Sequence, residues 1–314
     1  MLKFGGSSLA TSTAMQRVGD VLIERKGVQR IVVCSAMGGI TNALLQLGAA
    51  AASGQALFHE PLAAIRTRHL EVCQKLALDE HAPFVQQELL QMFDELEEFC
   101  RGLNLLGELS PKSSDHMASF GERIAVAMVS AYLSHRGLSI RRVDARNWIS
   151  TDGQHGNAHV QLDTSLPAIV QGVESDLNFD VLITEGFIGS GPDGSTTTLG
   201  RGGSDYTASL IARAVQANCM EKSTDVPGML TADPRIVSAA RIIDTMSYEE
   251  AMELCHFGAK VIYHPTIAPL KEAGIPLIVR STFESTHPGT LIVSKPKGKA
   301  VVRGLSSVSN ISLI

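Results

Sequence analysis

Four short segments hold most of the residues that could do chemistry, and each sets glycines beside a charged or hydroxylated side chain. The chain opens with Lys3-Phe4-Gly5-Gly6-Ser7-Ser8. Two adjacent glycines let backbone N–H groups approach an anion, and a lysine beside them can neutralise a phosphoryl group in transfer. Ser35-Ala36-Met37-Gly38-Gly39-Ile40-Thr41-Asn42 has the same small character. The Ser35 and Thr41 hydroxyls can reach a polar ligand there, or Thr41 can cap a helix. The sharpest segment is Leu199-Gly200-Arg201-Gly202-Gly203-Ser204-Asp205. Arg201 can grip a carboxylate or phosphate in bidentate fashion, and Asp205 can cap a helix or organise a Mg²⁺–nucleotide centre. Glu122 lies among Met117, Phe120, Ile124, Ala125 and Met128. It is either a buried carboxylate awaiting a cation such as a substrate ammonium, or a surface group paired with Arg123.

Two further segments complete the set. Thr224-Asp225-Val226-Pro227-Gly228, followed by Thr231 to Arg235, is a polar loop rich in turn residues. Phe257-Gly258-Ala259-Lys260 places a lysine at an expected helix start, which the helix dipole disfavours unless an anion is bound nearby. Gly-rich loops carrying one Lys, one Arg and one Asp point to phosphoryl transfer between anionic substrates. Other patterns have plainer readings. Residues 189–194 match the letters of a dinucleotide fingerprint, but Pro192 and the Thr196–Thr198 run predict a hairpin instead. His155 and His159, with Gly156 and Asn157 between them, are expected as two solvated loop histidines. The acidic run 94–98 is expected on the wet side of a helix, and no P-loop sequence occurs.

The elements that must position these residues alternate between β-rich and helical runs, which predicts an α/β protein with a mostly parallel sheet. Strands are expected at 1–4, 30–35, 138–143, 180–187, 196–199, 276–280 and 290–293. A largely helical stretch is expected from Asn42 to about His135. Within it Val85, Leu89, Met92, Leu96, Phe99 and Leu103 form an apolar stripe at helical spacing. Further helices are expected at 15–22, 204–215, 248–254 and 259–273, the last interrupted by Pro265 and Pro269. The Gly-rich loops carrying Lys3, Arg201 and Asp205 thus fall at strand-to-helix turns, while Glu122 falls within a helix.

Composition narrows the class. With 314 residues the chain makes one large or two modest domains. A net charge of −5 without a dense basic run argues against nucleic acid as a partner. The most apolar region, 31–52, is broken by Ser35, Thr41, Asn42 and Gln46, so no membrane partner is expected. Five scattered cysteines without a CxxC pair read as reduced thiols of a cytoplasmic protein.

Taken in order, KFGGSS, SAMGGITN, FGER, TLGRGGSDYTA, TDVPG with TADPR, and FGAKVIYHP resemble the catalytic domain of aspartokinases, members of the amino-acid kinase family. The resemblance runs from residue 3 to about 270, and 55–114 is similar to the helical insert of the longer forms. It implies a three-layer α/β/α sandwich, with an aspartate-binding lobe to about residue 200 and an ATP-binding lobe over 201–300. It implies ATP-dependent phosphorylation of the L-aspartate β-carboxylate to 4-phospho-L-aspartate, on the route to lysine, threonine and methionine. By that resemblance Lys3 and Asp205 are catalytic. Ser35, Thr41, Glu122, Arg201, Gly203 and Ser204 bind aspartate. Lys3, Gly5, Gly6, Ser7, Thr224, Asp225, Leu230, Arg235 and Lys260 bind ATP, and Mg²⁺ is held mainly by the nucleotide.

The sequence departs from the family at Ser223, where a tryptophan is usual, and at Leu230, where a tyrosine is usual. Val301–Ile314 resembles the first strand of an ACT regulatory module. A catalytic piece of a longer, homo-oligomeric parent is therefore expected, without feedback inhibition by lysine or threonine. A kinase for another amino acid, or a non-catalytic nucleotide- or amino-acid-binding module, stand as alternatives.

Overall fold

Strand β2 (Arg30–Cys34) is buried at all five positions, and its side chains divide between two cores. Val32 and Cys34 enter the apolar cluster on one face, while Ile31 and Val33 enter the other. A strand covered on both faces needs a near-continuous apolar run, which RIVVC supplies. In the computed structural model the described residues are 1–314 without 26, 55–56, 79–82, 257–260, 285–286, 297–303 and 306–314. Among them, β2 belongs to an eight-stranded sheet with β1 (Leu2–Phe4), β3 (Ile140–Val143), β4 (Val181–Glu185), β7 (Met220–Thr224), β8 (Thr245–Ser247), β9 (Leu277–Ser281) and β10 (Thr290–Val293). Their order is β3-β4-β2-β1-β7-β9-β10-β8. Neighbours run parallel except β9 and β10. The segment 188–198 is the expected hairpin, β5 (Ile188–Ser190) against β6 (Thr196–Thr198).

One face carries α1 (Ser12–Ile23), α2 (Ile40–Ala52), α3 (His59–Lys75), α4 (Pro83–Leu106) and α5 (Pro111–His135). The other carries α6 (Leu162–Glu174), α7 (Gly203–Ala214), α8 (Tyr248–His256) and α9 (Ala268–Ala273). The expected three-layer α/β/α sandwich is the observed architecture. Local chemistry starts these helices where the sequence signals them. Thr11 accepts the Ala14 N–H at the head of α1, and Ser110 accepts the Ser113 N–H ahead of Pro111 in α5. In α4 the buried line is Val85, Leu89, Phe93, Leu96, Cys100 and Leu103, with Met92 and Phe99 flanking it. That stripe lies one residue round from the expected one at two turns, because all eight residues are apolar and packing picks among them.

Two expectations change or lie outside view. The helix expected at 259–273 is a 3₁₀ turn at His264–Ile267 followed by α9, since Pro265 and Pro269 each suit only the first positions of a helix. Of Val301–Ile314 only Gly304 and Leu305 are among the described residues; the Leu305 N–H donates to the Thr231 carbonyl. The regulatory-strand expectation therefore lies outside the description. No described helix is long and apolar enough to cross a membrane.

Candidate active site

Parallel strands deliver their carboxyl ends to one edge of the sheet, and ligands bind there where neighbouring connections diverge. Here β1 is that point, with β2 on one side and β7 on the other. Leu2 and Phe4 both enter the α1–α5 core, so Lys3 between them must face the opposite layer. That layer begins with α7, whose first turn presents Asp205. Lys3 Nζ stands 2.8 Å from Asp205 Oδ1, with both side chains under 10% exposed. Lys222 is the register partner of Lys3 on β7 and points the same way. Its Nζ donates to Asp205 Oδ2 at 2.5 Å and to the Val261 carbonyl at 2.6 Å. Burial raises the Asp205 pKa, but the two ammonium groups outweigh it and hold the carboxyl down to about 2. Burial lowers the Lys3 pKa, and Asp205 only partly opposes it.

Two cavities meet at Lys3. One, of about 300 Å³, is lined by Lys3, Ser35, Thr41, Glu122, Phe187, Gly203, Ser204 and Asp205. The other, of about 370 Å³, is lined by Lys3, Gly5, Gly6, Ser7, Lys222, Thr224 and Asp225. Close backbone approach shapes the wall between them: Gly38 N–H donates to the Gly6 carbonyl at 2.9 Å, and a Cβ on Gly6 would lie 3.0 Å from the Ala36 carbonyl oxygen. Gly39 and Gly202, with φ of +84° and +73°, are the N-caps of α2 and α7. Left-handed backbone there lets each chain turn sharply from loop into helix. Thr41 is inside α2 and leaves the capping to Gly39, so its hydroxyl remains for the cavity.

Glu122 sits in the middle of α5, 3% exposed, and Arg123 turns away to Glu95. Glu122 Oε1 accepts the Ala36 N–H at 3.2 Å, while Oε2 has no partner among the described residues. Burial pushes this carboxyl up to about 8, only partly opposed by the Ala36 N–H and more weakly by the Lys3 charge. A buried carboxyl oxygen with no donor, facing a cavity, is a place for a ligand cation.

Other expected site residues stand apart. Arg201 is exposed and does not line either cavity, because the positive-φ glycines at 200 and 202 turn the loop outward between them. Leu230 is partly buried and bridges to Ile242, and Arg235 is exposed and paired with Asp233 at 2.6 Å. Lys260 lies outside the described residues. The solvated-loop expectation fails for His155: its Nδ1 is 2.8 Å from Asp115 Oδ2, and its ring is 17% exposed. Asp115, buried on α5, also accepts from the Gly156 N–H and the Thr198 hydroxyl, so the loop is clamped. His159 is exposed, against Asp152.

Sequence reasoning passed over Lys222 and Phe187. The signal for Lys222 was available, since a lysine inside an otherwise buried central strand needs a partner. Phe187 lines the cavity that holds Glu122 with φ of +72°, a conformation rare for a bulky residue and invisible in sequence. Ser223, in place of an aromatic, is buried; its carbonyl accepts from the Gly5 N–H and the Ser8 hydroxyl.

This sheet, with a lysine–aspartate pair between two cavities at its edge, is that of the amino acid kinase family, to which the chain belongs; the family model matches residues 1–281. Within that family its likeness is to aspartokinases. It is 36% identical to the lysine-sensitive aspartokinase 3 of Escherichia coli over 99% of this chain and 68% of that protein. It is 33% identical to the chloroplastic aspartokinase 1 of Arabidopsis thaliana, covering all of this chain and 55% of that one. The crystal structure of E. coli aspartokinase III with aspartate and ADP superposes with a TM-score of 0.88 at 35% identity, over 97% of this chain and 66% of the other. The chain thus spans between about half and two thirds of the length of these relatives.

Proposed function

We propose that this chain transfers the γ-phosphoryl group of ATP to the side-chain carboxylate of L-aspartate, giving 4-phospho-L-aspartate. The observation that carries the reading is Lys3, a buried ammonium that lines both cavities at once. A cation at their junction suits a reaction between two anionic ligands, one in each cavity. The family and the E. coli relative bound to aspartate and ADP support the choice of ligands.

Both reactants are anions, so catalysis consists of bringing them together and neutralising charge as it shifts. Aspartate is assigned to the cavity that holds Glu122, whose unpartnered oxygen would receive the α-ammonium. Ser35, Thr41 and Ser204 supply hydroxyls, and Gly203, its N–H held by the Gly200 carbonyl, lines the cavity without a side chain. Arg201, outside the cavity in this structure, would swing in to clamp a carboxylate. ATP is assigned to the other cavity, its phosphates against Gly5, Gly6, Ser7 and Lys3, with Thr224 and Asp225 alongside. Leu230, Arg235 and Lys260 are assigned to the nucleotide's outer reach. Asp205 holds Lys3 aimed at the junction. The acceptor lobe is assigned mainly to residues before about 200 and the nucleotide lobe mainly to those after it, with Gly5, Gly6 and Ser7 reaching the ATP side and Gly203 and Ser204 the aspartate side.

The described residues hold no cluster of three acidic, histidine or cysteine ligands for a metal, and Asp205 is engaged by two lysines. These surroundings fit Mg²⁺ carried on the phosphates. When bound, it would neutralise phosphate charge. The activity places the chain in amino-acid biosynthesis, toward lysine, threonine and methionine.

The test is ADP release from Mg-ATP with and without L-aspartate, Lys3→Ala serving as the blank. Aspartate-dependent turnover that disappears in the variant is expected. ADP release that ignores aspartate, or that survives in Lys3→Ala, would overturn the reading.

A further inference from the structure

Lys222 raises a question of charge. Lys3, Asp205 and Lys222 form a closed set in which each carboxylate oxygen takes one ammonium, and their side chains are 8%, 9% and 11% exposed. The set carries a net charge of +1 in a place with little water. The next carboxylate along the strand, Glu221, points to the opposite face and is held by Arg25 at 2.7 Å and Arg280 at 3.5 Å. It does not balance Lys222. A buried excess of positive charge is costly unless an anion completes it. Hydrogen-bond accounting agrees. An ammonium has three donors, and among the described residues Lys222 spends one on Asp205 and one on the Val261 carbonyl, which leaves a third. Its side chain lines the nucleotide-side cavity with Lys3, Gly5, Gly6 and Ser7. Parallel register fixes Lys3 and Lys222 side by side, with Asp205 bridging them from α7.

We propose that Lys222 is a second phosphate-binding cation, which works beside Lys3 so that the polyphosphate of the nucleotide is gripped by two lysines sharing one aspartate. The proposal rests on the phosphoryl-transfer reading and adds a residue to it. Asp205 then has two duties: it holds both ammonium groups apart at fixed spacing, and it leaves one positive charge for the ligand.

The experiment compares the wild-type protein with Lys222→Met and Lys222→Arg by calorimetric titration of ADP and, separately, of L-aspartate, with melting temperatures recorded without ligand. Loss of a charge-assisted hydrogen bond to phosphate is expected to weaken ADP binding roughly 10- to 100-fold in Lys222→Met. Aspartate affinity should stay within about twofold, and Lys222→Arg should recover part of the loss. ADP affinity unchanged in Lys222→Met overturns the proposal. So does a parallel loss of ADP affinity, aspartate affinity and melting temperature, which marks a structural role alone. If the wild type itself does not bind ADP, the phosphoryl-transfer reading falls as well. Should Lys222→Met not fold, wild-type protein labelled at lysine ¹⁵Nζ is titrated with pyrophosphate. Two protected ammonium resonances are expected to move together, and movement of only one rejects the proposal.

Discussion

Replacing Glu122 by glutamine is the most informative perturbation of the cavity proposed for aspartate. The side chain keeps its shape and its contact with the Ala36 N–H but can no longer ionise. Burial raises the wild-type carboxyl from an ordinary 4.5 to about 8. Between those values the native state keeps a proton that the unfolded chain releases, so wild-type stability is full below pH 4.5 and falls as pH rises, levelling above about 8. Each unit corresponds to about 1.4 kcal/mol, so the full loss is on the order of 4–5 kcal/mol. The group is wholly buried, so solvent screening does not reduce the figure much. Denaturant unfolding of both proteins from pH 5 to 9 isolates the effect, because every other titrating group cancels in the difference. Glu122→Gln is expected to gain on the wild type by about 1.4 kcal/mol per pH unit up to pH 8. An aspartate ammonium beside Glu122 would drive the proton off. Calorimetry at pH 7 in buffers of different ionisation heat should therefore show release of close to one proton per aspartate bound, and none in Glu122→Gln. A stability difference flat across this range, or aspartate binding without proton release, would refute the reasoning.

Other outcomes follow from the same geometry. A Cβ on Gly186 would lie 2.6 Å from the Ser204 Cα and 2.5 Å from its Cβ. Gly186→Ala is therefore expected to push the head of α7 away from β4, costing about 1–3 kcal/mol and lowering kcat/KM; a variant with wild-type melting temperature and kcat/KM would contradict this. His69, fully buried in α3 with Nδ1 on the Ile65 carbonyl, is held down to about 4 by desolvation. The unfolded chain takes a proton near pH 6.5 that the native state refuses, so stability should fall by about 3 kcal/mol as pH drops from 6.5 to 4. His69→Gln should remove that acid loss, and denaturation at pH 7 and pH 4.5 measures it.

Much of this protein was legible in one dimension. The alternation of apolar strands with amphipathic helices gave an α/β protein with a mostly parallel sheet, since buried parallel strands tolerate little besides apolar side chains, and the resemblance added the three layers. The Gly-rich turns marked where ligands approach, because only glycine admits such backbone crowding. Lys3 and Asp205 stood out as charges in Gly-rich segments, and Glu122 as a charge inside an apolar run.

What the chain could not show in sequence was relative placement across long separations. Lys222 lies 219 positions from Lys3 in numbering and becomes its neighbour only through the parallel register of β1 with β7. The same holds for His155, a loop residue expected in solvent until Asp115 on α5 is folded against it. Phe187 acquires its left-handed backbone from the surroundings, as no local signal demands it. Residue type and period are written locally, and they settled the layers and the chemistry on offer. Which charges share a carboxylate, and which oxygen is left without a partner, depends on distances between strands and helices, and only the packed sheet decides those.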